Sequence, residues 1–226
     1  MSPTTRDGGE RQDRPRGRQA EAERNDHLVL EAARTVFAEQ GTGAPMSALA
    51  ERAGVGIATF YRRYGSKEEL LQRLCLLSME ESIAAAREAL ASGGDGWSAI
   101  GLYVHRCVAA RVGALAPAAG TIAVTPEMAA AAKTGRELID ALVGSALADG
   151  SVRPDLAPLD VSYLVEHLGR TRRRTPEQRN VSRRLLALAL DGLRAPARSA
   201  DLPGTPPSWQ KYGARWYGAH WYGGEE

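Results

Sequence analysis

The sequence is short of the residue types that would mark a secreted, disulfide-bonded or sheet-rich protein. Its 226 residues include only two cysteines, Cys75 and Cys107, each among apolar helix-forming neighbours. Such a pair argues against a disulfide framework and favours buried thiols in a reducing compartment. Aromatic residues make up 6% of the chain, whereas alanine is abundant. This balance favours closely packed helices over a sheet, so we expect an all-α protein.

Long apolar runs and a strong net charge are also missing. No run approaches the ~18 to 20 continuous apolar residues of a membrane span, and the N-terminus lacks the apolar stretch of a secretory signal. We therefore expect no membrane partner and a cytoplasmic location. The formal net charge is +2, which excludes a globally basic nucleic-acid coat. Any anion binding must depend on local basic patches.

Residue combinations typical of enzymes and metal sites are absent. The four histidines are far apart and form no H-x-x-x-H or E-x-x-H motif, and no G-x-S-x-G occurs. The stretch "GVGIAT" precedes a predicted helix, but no strand precedes it and the third glycine of a phosphate-binding loop is missing. We predict no catalytic residues, no metal and no cofactor. An all-helical enzyme without a sequence-visible active site remains an alternative.

Composition divides the chain into four regions. Residues 1–24 combine Pro, Gly and mixed charge without periodicity, which predicts a disordered arm. Residues 25–72 contain short helical patterns and residues 73–196 longer ones. Residues 197–226 are rich in Trp, Tyr and Gly and contain "ARWYG" and "AHWYG", which predicts a disordered tail. The roles of this tail and of the arginine-rich stretch 170–184 stay open.

The second region begins with three short predicted helices. Apolar residues from Val29 to Phe37 fall at helical spacing, and a second helix begins near Pro45 and breaks at Gly54. A third helix, about Ile57 to Tyr64, follows at once. Two short helices joined by a tight glycine turn are typical of a helix-turn-helix, whose second helix enters the DNA major groove. This region is the predicted DNA-binding domain.

The third helix divides into a buried face and an exposed face. Phe60 and Tyr64 are four residues apart and therefore share one side, which we predict to be buried. The exposed candidates for DNA contact are Ile57, Ala58, Thr59, Tyr61, Arg62 and Arg63. Hydroxyl and guanidinium groups of this kind bind phosphates, whereas apolar side chains read a thymine methyl group or groove shape. The alternative is a solvated rim around the core.

Lys67 extends the predicted DNA surface onto the next helix. Ser66 and Glu69 form an S-x-x-E pattern that starts a fourth helix, predicted to reach about Ala91. Lys67 lies in its first turn, where backbone N–H groups and the helix dipole already favour a phosphate. The predicted helix begins at Ser66 beside the DNA and ends near Ala91 beside the expected ligand site. A displacement at one end would therefore move the other end.

The order of these motifs resembles a known family. Residues 29–74, with "EAA…FAEQG", "LAERAGV", "TFYRRY" and "SKEEL", are similar to the N-terminal domain of the tetracycline-repressor family of transcriptional regulators. The resemblance implies an all-α fold, in which a three-helix helix-turn-helix domain joins a C-terminal helical ligand-binding and dimerisation domain. It also implies a homodimeric repressor that a small-molecule effector releases from palindromic double-stranded DNA. An activator or a ligand-independent regulator on the same fold remains an alternative.

The resemblance also bears on individual residues. It implies DNA contacts for the positions already named on the third helix except Arg62, and for Lys67, and it adds Ser47 on the second helix. The sequence departs from the family pattern at Gly56 and at Pro45. Glycine is an acceptable helix cap, so the fold is unaffected.

The rest of the chain offers candidates for ligand and dimer contacts. Tyr103, Cys107 and Arg111 recur every four residues on a helix predicted over 97–115, and Met128 and His167 are further candidates for the ligand site. We expect that site between the fifth, seventh and eighth predicted helices, over 97–115, 159–169 and 176–195. The last helix carries two apolar stripes. Leu186, Leu190 and Leu193 form the predicted dimer stripe, Leu185, Leu188 and Ala189 the other; a helix buried within one protomer is the alternative.

Overall fold

The computed structural model describes residues 28–170, 175–195 and 201–217. Over these ranges the chain forms nine α-helices and one 3-10 helix, and its only strand-like feature is an isolated bridge between Val152 and Arg194. The predicted all-α fold is confirmed. The predicted N-terminal arm lies outside the described residues.

Three short helices form the N-terminal unit, as the sequence predicts. They are α1 (28–40), α2 (Met46–Ala53) and α3 (Ile57–Tyr64). Gly54 ends α2 with φ 68°, a left-handed conformation that costs glycine little, and this lets α3 follow after two residues. The core of the unit includes Val29, Ala33, Phe37, Leu49, Phe60, Tyr64 and Leu70.

Helix α4 (Lys67–Leu90) belongs to both halves of the molecule. It begins where the Ser66 hydroxyl accepts a hydrogen bond from the backbone N–H of Glu69, at 3.1 Å. Its first half contributes Leu70 and Leu74 to the N-terminal core, and its second half contributes small residues such as Ala86 to a second core. Because residues of α4 pack in both cores, this helix is one of the structural links between them.

The second core lies among the remaining helices. These are α5 (Gly96–Ala109), the 3-10 helix (Val112–Ala118), α6 (Pro126–Ala148), α7 (Pro158–Arg170), α8 (Pro176–Leu193) and α9 (Trp209–Tyr217). The sequence predicts one helix over 97–115, but α5 ends at Ala109 and Arg111 adopts φ 58°. This left-handed residue turns the chain into the 3-10 helix, which packs against α7.

The structure describes part of the C-terminal tail that the sequence predicts to be disordered, and residues 197–200 and 218–226 of that tail lie outside the described residues. Residues 201–217 are described and end in α9. Leu202 N–H donates to Asp155 at 2.7 Å, the Trp209 indole N–H donates to Asp140 at 3.0 Å, and Arg215 pairs with Glu166 at 2.7 Å. The low-complexity composition of the segment does not indicate these contacts, which hold it against the rest of the protein.

The structure buries one of the two apolar stripes of α8 and leaves the other exposed. Leu186 and Leu190 are 4% and 5% exposed and lie in the protomer's own second core, and Leu193 packs at its edge. The predicted dimer stripe is therefore wrong for Leu186 and Leu190. Leu185 is 47% exposed and Leu188 66%, so this second stripe is the apolar face left open. Spacing alone identifies two stripes but does not decide which one faces the core.

A buried ion pair joins the N-terminal unit to the rest. Arg34 on α1 is 2% exposed, and its guanidinium donates to both carboxylate oxygens of Glu81 on α4, at 3.0 and 3.2 Å. It also donates to the carbonyl of Ala110, just after α5, at 2.8 Å. One side chain thus connects three parts of the chain.

We expect Arg34→Leu to lower the free energy of unfolding by about 2 kcal/mol, because it removes the charge-assisted hydrogen bonds from the buried guanidinium to Glu81 and to the carbonyl of Ala110. Chemical denaturation followed by circular dichroism measures the change. Arg106→Leu is the matched control, because Arg106 pairs with Glu88 at the surface, where an ion pair contributes little. Equal effects of the two substitutions would contradict the structural role of Arg34.

Candidate DNA interface and ligand cavity

Two buried aromatic rings fix the orientation of α3. Phe60 and Tyr64 lie one turn apart, with ring centroids 5.0 Å from each other and planes tilted by 54°. Both rings are buried in the N-terminal core, as predicted. Because these two residues face inward, the other residues of α3 must face outward.

The outward side of α3 carries the predicted DNA-contact residues together. Exposed positions are Ile57, Ala58, Thr59, Tyr61, Arg62 and Arg63, and Ser47 on α2 is exposed as well. Tyr61 has 47% of its surface free. The Arg62 guanidinium donates to the Thr59 hydroxyl at 3.4 Å, and Arg63 lies 5.9 Å from the Tyr64 ring centroid. The face therefore offers hydroxyls and guanidinium groups in positions open to a polyanion.

Lys67 and the start of α4 lie immediately beyond this face. Lys67 is the first residue of α4 and is half-buried. Nearby, the Glu68 carboxylate accepts from the backbone N–H of Ala123 at 2.9 Å, and the Gln72 amide donates to the carbonyl of the same residue. These bonds tie the start of α4 to the loop before α6, so the predicted phosphate site is attached to the second half of the molecule.

A cavity of about 550 Å³ lies within that second half. Its walls come from α4, α5, the 3-10 helix, α6, α7 and α9. Lining residues include Cys75, Ser78, Ser82, Tyr103, Leu115, Ile139, Val165, Glu166, Trp209 and Tyr212. Mostly apolar walls with a few polar groups are typical of small-molecule sites. Helix α8 contributes no lining residue, whereas α6 does, so the expected position between the fifth, seventh and eighth helices is corrected.

Of the five predicted ligand residues, only Tyr103 lines the cavity. Cys107 lies beside it, with its Sγ 3.9 Å from the hydroxyl of Ser82. The remaining three are absent from the cavity wall for different reasons. Arg111 follows the break after α5, so the four-residue spacing does not continue to it. Met128 is buried in the N-terminal core, and His167 is exposed.

Several residues of the cavity wall are not predicted from the sequence. Ser78 and Glu166 are buried polar side chains on α4 and α7, and Trp209 comes from the tail predicted to be disordered. Gly113 explains the position of Glu166, because a Cβ at Gly113 would overlap the Glu166 backbone. Helix α7 therefore approaches the 3-10 helix closely at this point. A glutamate within an otherwise apolar helix face is the only sequence signal, and it is a weak one.

Besides its charged side chains, the cavity wall contains a thiol and hydroxyl groups, which are uncharged. Burial raises the pKa of the Cys75 thiol to about 12 and the pKa of the Tyr103 phenol well above its usual value. The Tyr103 and Ser82 hydroxyls are hydrogen-bonded to each other at 3.0 Å. These thiol and phenol groups therefore stay protonated at neutral pH.

Within the described part of the chain, no cluster of His, Cys, Asp or Glu could hold a metal ion. Over the same residues, no single helix is long and apolar enough to cross a membrane. The bent pair of α5 and the 3-10 helix meets that criterion by length and composition only.

Comparisons with known proteins agree on one family. Residues 29–74 match the profile of bacterial regulatory proteins of the tetR family, and residues 100–195 match that of the C-terminal domain of SbtR-like transcriptional regulators. No curated protein matches the chain.

Solved structures with the same architecture include two tetR regulators. The one from Mycobacterium vanbaalenii is 27% identical, with a TM-score of 0.53, over 78% of this chain and 99% of that one. The one from Streptomyces coelicolor is 26% identical, also with a TM-score of 0.53, over 76% and 99%. A ketosteroid transcriptional regulator of Mycobacterium tuberculosis is 22% identical, with a TM-score of 0.57, over 76% and 95%, and this likeness concerns the fold alone.

We expect Tyr61→Phe and Lys67→Ala to weaken DNA binding by similar factors on all sequences, because both side chains would serve phosphates. Lys67→Ala should also reduce the slope of log K against log salt by about 0.9. Fluorescence anisotropy over a salt series measures both quantities.

Arg87→Ala is the matched control, because it removes one exposed positive charge at the opposite end of α4. Its salt slope should equal that of the unmodified protein. An unchanged slope for Lys67→Ala would remove Lys67 from the interface.

Proposed function

Because the chain belongs to the tetR family of bacterial regulatory proteins, and is by that membership a DNA-binding transcriptional regulator, we propose that it is a ligand-released repressor. A homodimer binds a palindromic operator, and a small molecule in the cavity lowers its affinity for DNA. Membership of this family implies that the protein regulates transcription and is not an enzyme. Because bacterial chromosomal DNA lies in the cytoplasm, we place the protein there. The observation that carries the proposal is that α4 belongs to both cores and lines the cavity.

The exposed surface of α3 supports DNA recognition. Its outward hydroxyl and guanidinium groups are suited to phosphates, and we assign the exposed apolar side chains of Ile57 and Ala58 to the base edges. Apolar groups at these positions favour thymine methyl groups or groove shape over hydrogen-bonded readout. We propose Ser47 as a further contact from α2.

The cavity supports control by a small molecule. Cys75, Ser78, Met79 and Ser82 line it from one face of α4, at the i, i+3, i+4 and i+7 spacing. Glu81, the partner of Arg34, is next to this face. A ligand that prefers one position of α4 therefore acts on the same helix that begins at Lys67 and is paired with α1.

The second apolar stripe of α8 supports dimerisation. Val181 and Leu185 are each 47% exposed and Leu188 is 66% exposed, and together they form a continuous apolar patch on one helix. Such a patch is typical of a protein interface. We therefore propose a dimer whose interface contains Leu185 and Leu188 in place of Leu186 and Leu190.

We expect Leu185→Arg and Leu188→Arg to yield folded monomers with weak operator binding, because each places a charge in the proposed interface. Analytical ultracentrifugation measures the oligomeric state. Leu90→Arg is the control, since Leu90 is 40% exposed at the end of α4 and outside α8. If both α8 variants sediment as dimers, this stripe is not the interface. Leu186→Arg tests protomer stability instead, because Leu186 is buried.

Selection of binding sites from random duplex DNA tests the regulator directly. A dimer related by a two-fold axis requires an inverted repeat, whose half-sites are about 34 to 36 Å apart or a multiple of that distance. Placed across a promoter, the selected site should lower transcription in vitro when the protein is added. A single unrepeated site would contradict the dimer, and increased transcription would favour the activator alternative.

A further inference from the structure

Two residues of the cavity wall each carry a buried polar atom with no partner inside the described part of the protein. Oε2 of Glu166 and Oγ of Ser78 make no hydrogen bond within the described residues. Both residues line the cavity, and they are only 4% and 5% exposed. Buried polar atoms without a partner are rare because they lose their hydration, so a ligand or water normally satisfies them. These two atoms indicate the polar chemistry that the cavity accepts.

Glu166 is the one fully buried charged residue among the described residues that line the cavity. Its other oxygen, Oε1, accepts from Arg215 of α9 at 2.7 Å. Lys133 is exposed, and the Arg136 side chain is 42% exposed and pairs with Asp140 at 3.6 Å. The positive charges in the wall are thus near the solvent, whereas the buried charge is a carboxylate.

The other deep polar groups do not offset this carboxylate. The thiol of Cys75 is neutral, and the hydroxyls of Tyr103 and Ser82 are already bonded to each other. Arg215 already compensates the charge of Glu166 through Oε1, but a ligand carboxylate or phosphate at Oε2 would place two hydrogen-bond acceptors against each other and leave both unsatisfied, which is unfavourable. A group that donates a hydrogen bond would instead satisfy Oε2.

We propose that the cavity takes an apolar molecule with a hydrogen-bond-donating head, an alcohol or an amine, whose head meets Glu166 and Ser78. This identifies the ligand class of the site in the proposed function and depends on that function only for the consequence of binding. The apolar remainder of the ligand packs against Leu115, Ile139 and Val165. Helix α9 closes the site with Trp209 and Tyr212.

Three ten-carbon probes with different heads test this selectivity on the full chain. They are 1-decanol, decylamine and decanoate, which share one apolar chain and differ in the head group. Isothermal calorimetry at neutral pH gives each dissociation constant. The alcohol and the amine are each expected to bind at least roughly tenfold more tightly than decanoate, the factor typical of a hydrogen bond to a charged group.

Substitutions of similar size locate the selectivity. Glu166→Gln removes the charge and should abolish the discrimination against decanoate. Ser78→Ala should weaken decanol binding roughly tenfold, because it removes one of the two unpartnered atoms. Arg215→Gln takes the cation from Glu166 and should shift the preference toward decylamine. Glu88→Gln makes the same chemical change at a surface pair outside the cavity and should leave all three constants unchanged.

Three results would overturn the proposal: decanoate binding as tightly as the other probes, no binding by any probe, or an unchanged ranking in folded Glu166→Gln. If that variant does not fold, the ranking on the unmodified protein still decides. Operator affinity is measured separately with and without decylamine. Glu166-dependent binding that leaves operator affinity unchanged would contradict the proposed release mechanism while supporting the ligand class.

Discussion

The buried guanidinium of Arg34 holds the two halves of this protein in one arrangement. It is on α1, yet its partners are the Glu81 carboxylate on α4 and the Ala110 carbonyl after α5. Because the Arg34 guanidinium is buried, it must keep these hydrogen-bond partners, so the arrangement tolerates little sliding. A change around Glu81 must therefore be felt by α1, and through the shared core by α3.

Helix α4 provides a second connection, which runs along the helix from the proposed DNA surface past the cavity. At about 1.5 Å per residue its 24 residues span about 36 Å, from Lys67 beside the proposed DNA surface to a C-terminal part whose Ala86 and Ala89 lie in the second core. Its cavity-facing residues lie near the middle, between Cys75 and Ser82. A ligand that shifts this middle section displaces both the start of α4 and the partner of Arg34. Two connections, one along the helix and one across the ion pair, then act on the same three-helix unit.

The N-terminal unit was predictable because its signals are local. Gly54 and the Phe60–Tyr64 spacing determine the turn and the inward face of α3 within a few residues, and a short sequence therefore suffices. The exposed positions of α3 can then be predicted directly, because they are the residues that do not belong to its buried face. The structure places these residues together on an exposed surface, and their contacts with DNA stay predictions.

The second half was less predictable because long-range packing decides it. Both stripes of α8 are apolar, and only the position of α8 against the second core makes Leu186 internal and Leu188 external. The four-residue series from Tyr103 to Arg111 assumes a helix that in fact ends at Ala109. The pairing of Arg215 with Glu166 joins residues 49 apart in a segment whose composition suggests disorder. No local pattern contains these facts.

The central claim is that the cavity and the DNA surface are coupled, and calorimetry of one cavity probe with and without operator DNA tests it most directly. Linkage requires that a ligand weakening operator binding tenfold, about 1.4 kcal/mol of coupling, is itself bound tenfold more weakly by the operator complex. The account predicts this reciprocal loss for decylamine. Equal probe affinities in the two titrations would show that the cavity is occupied without effect on DNA binding and would contradict it.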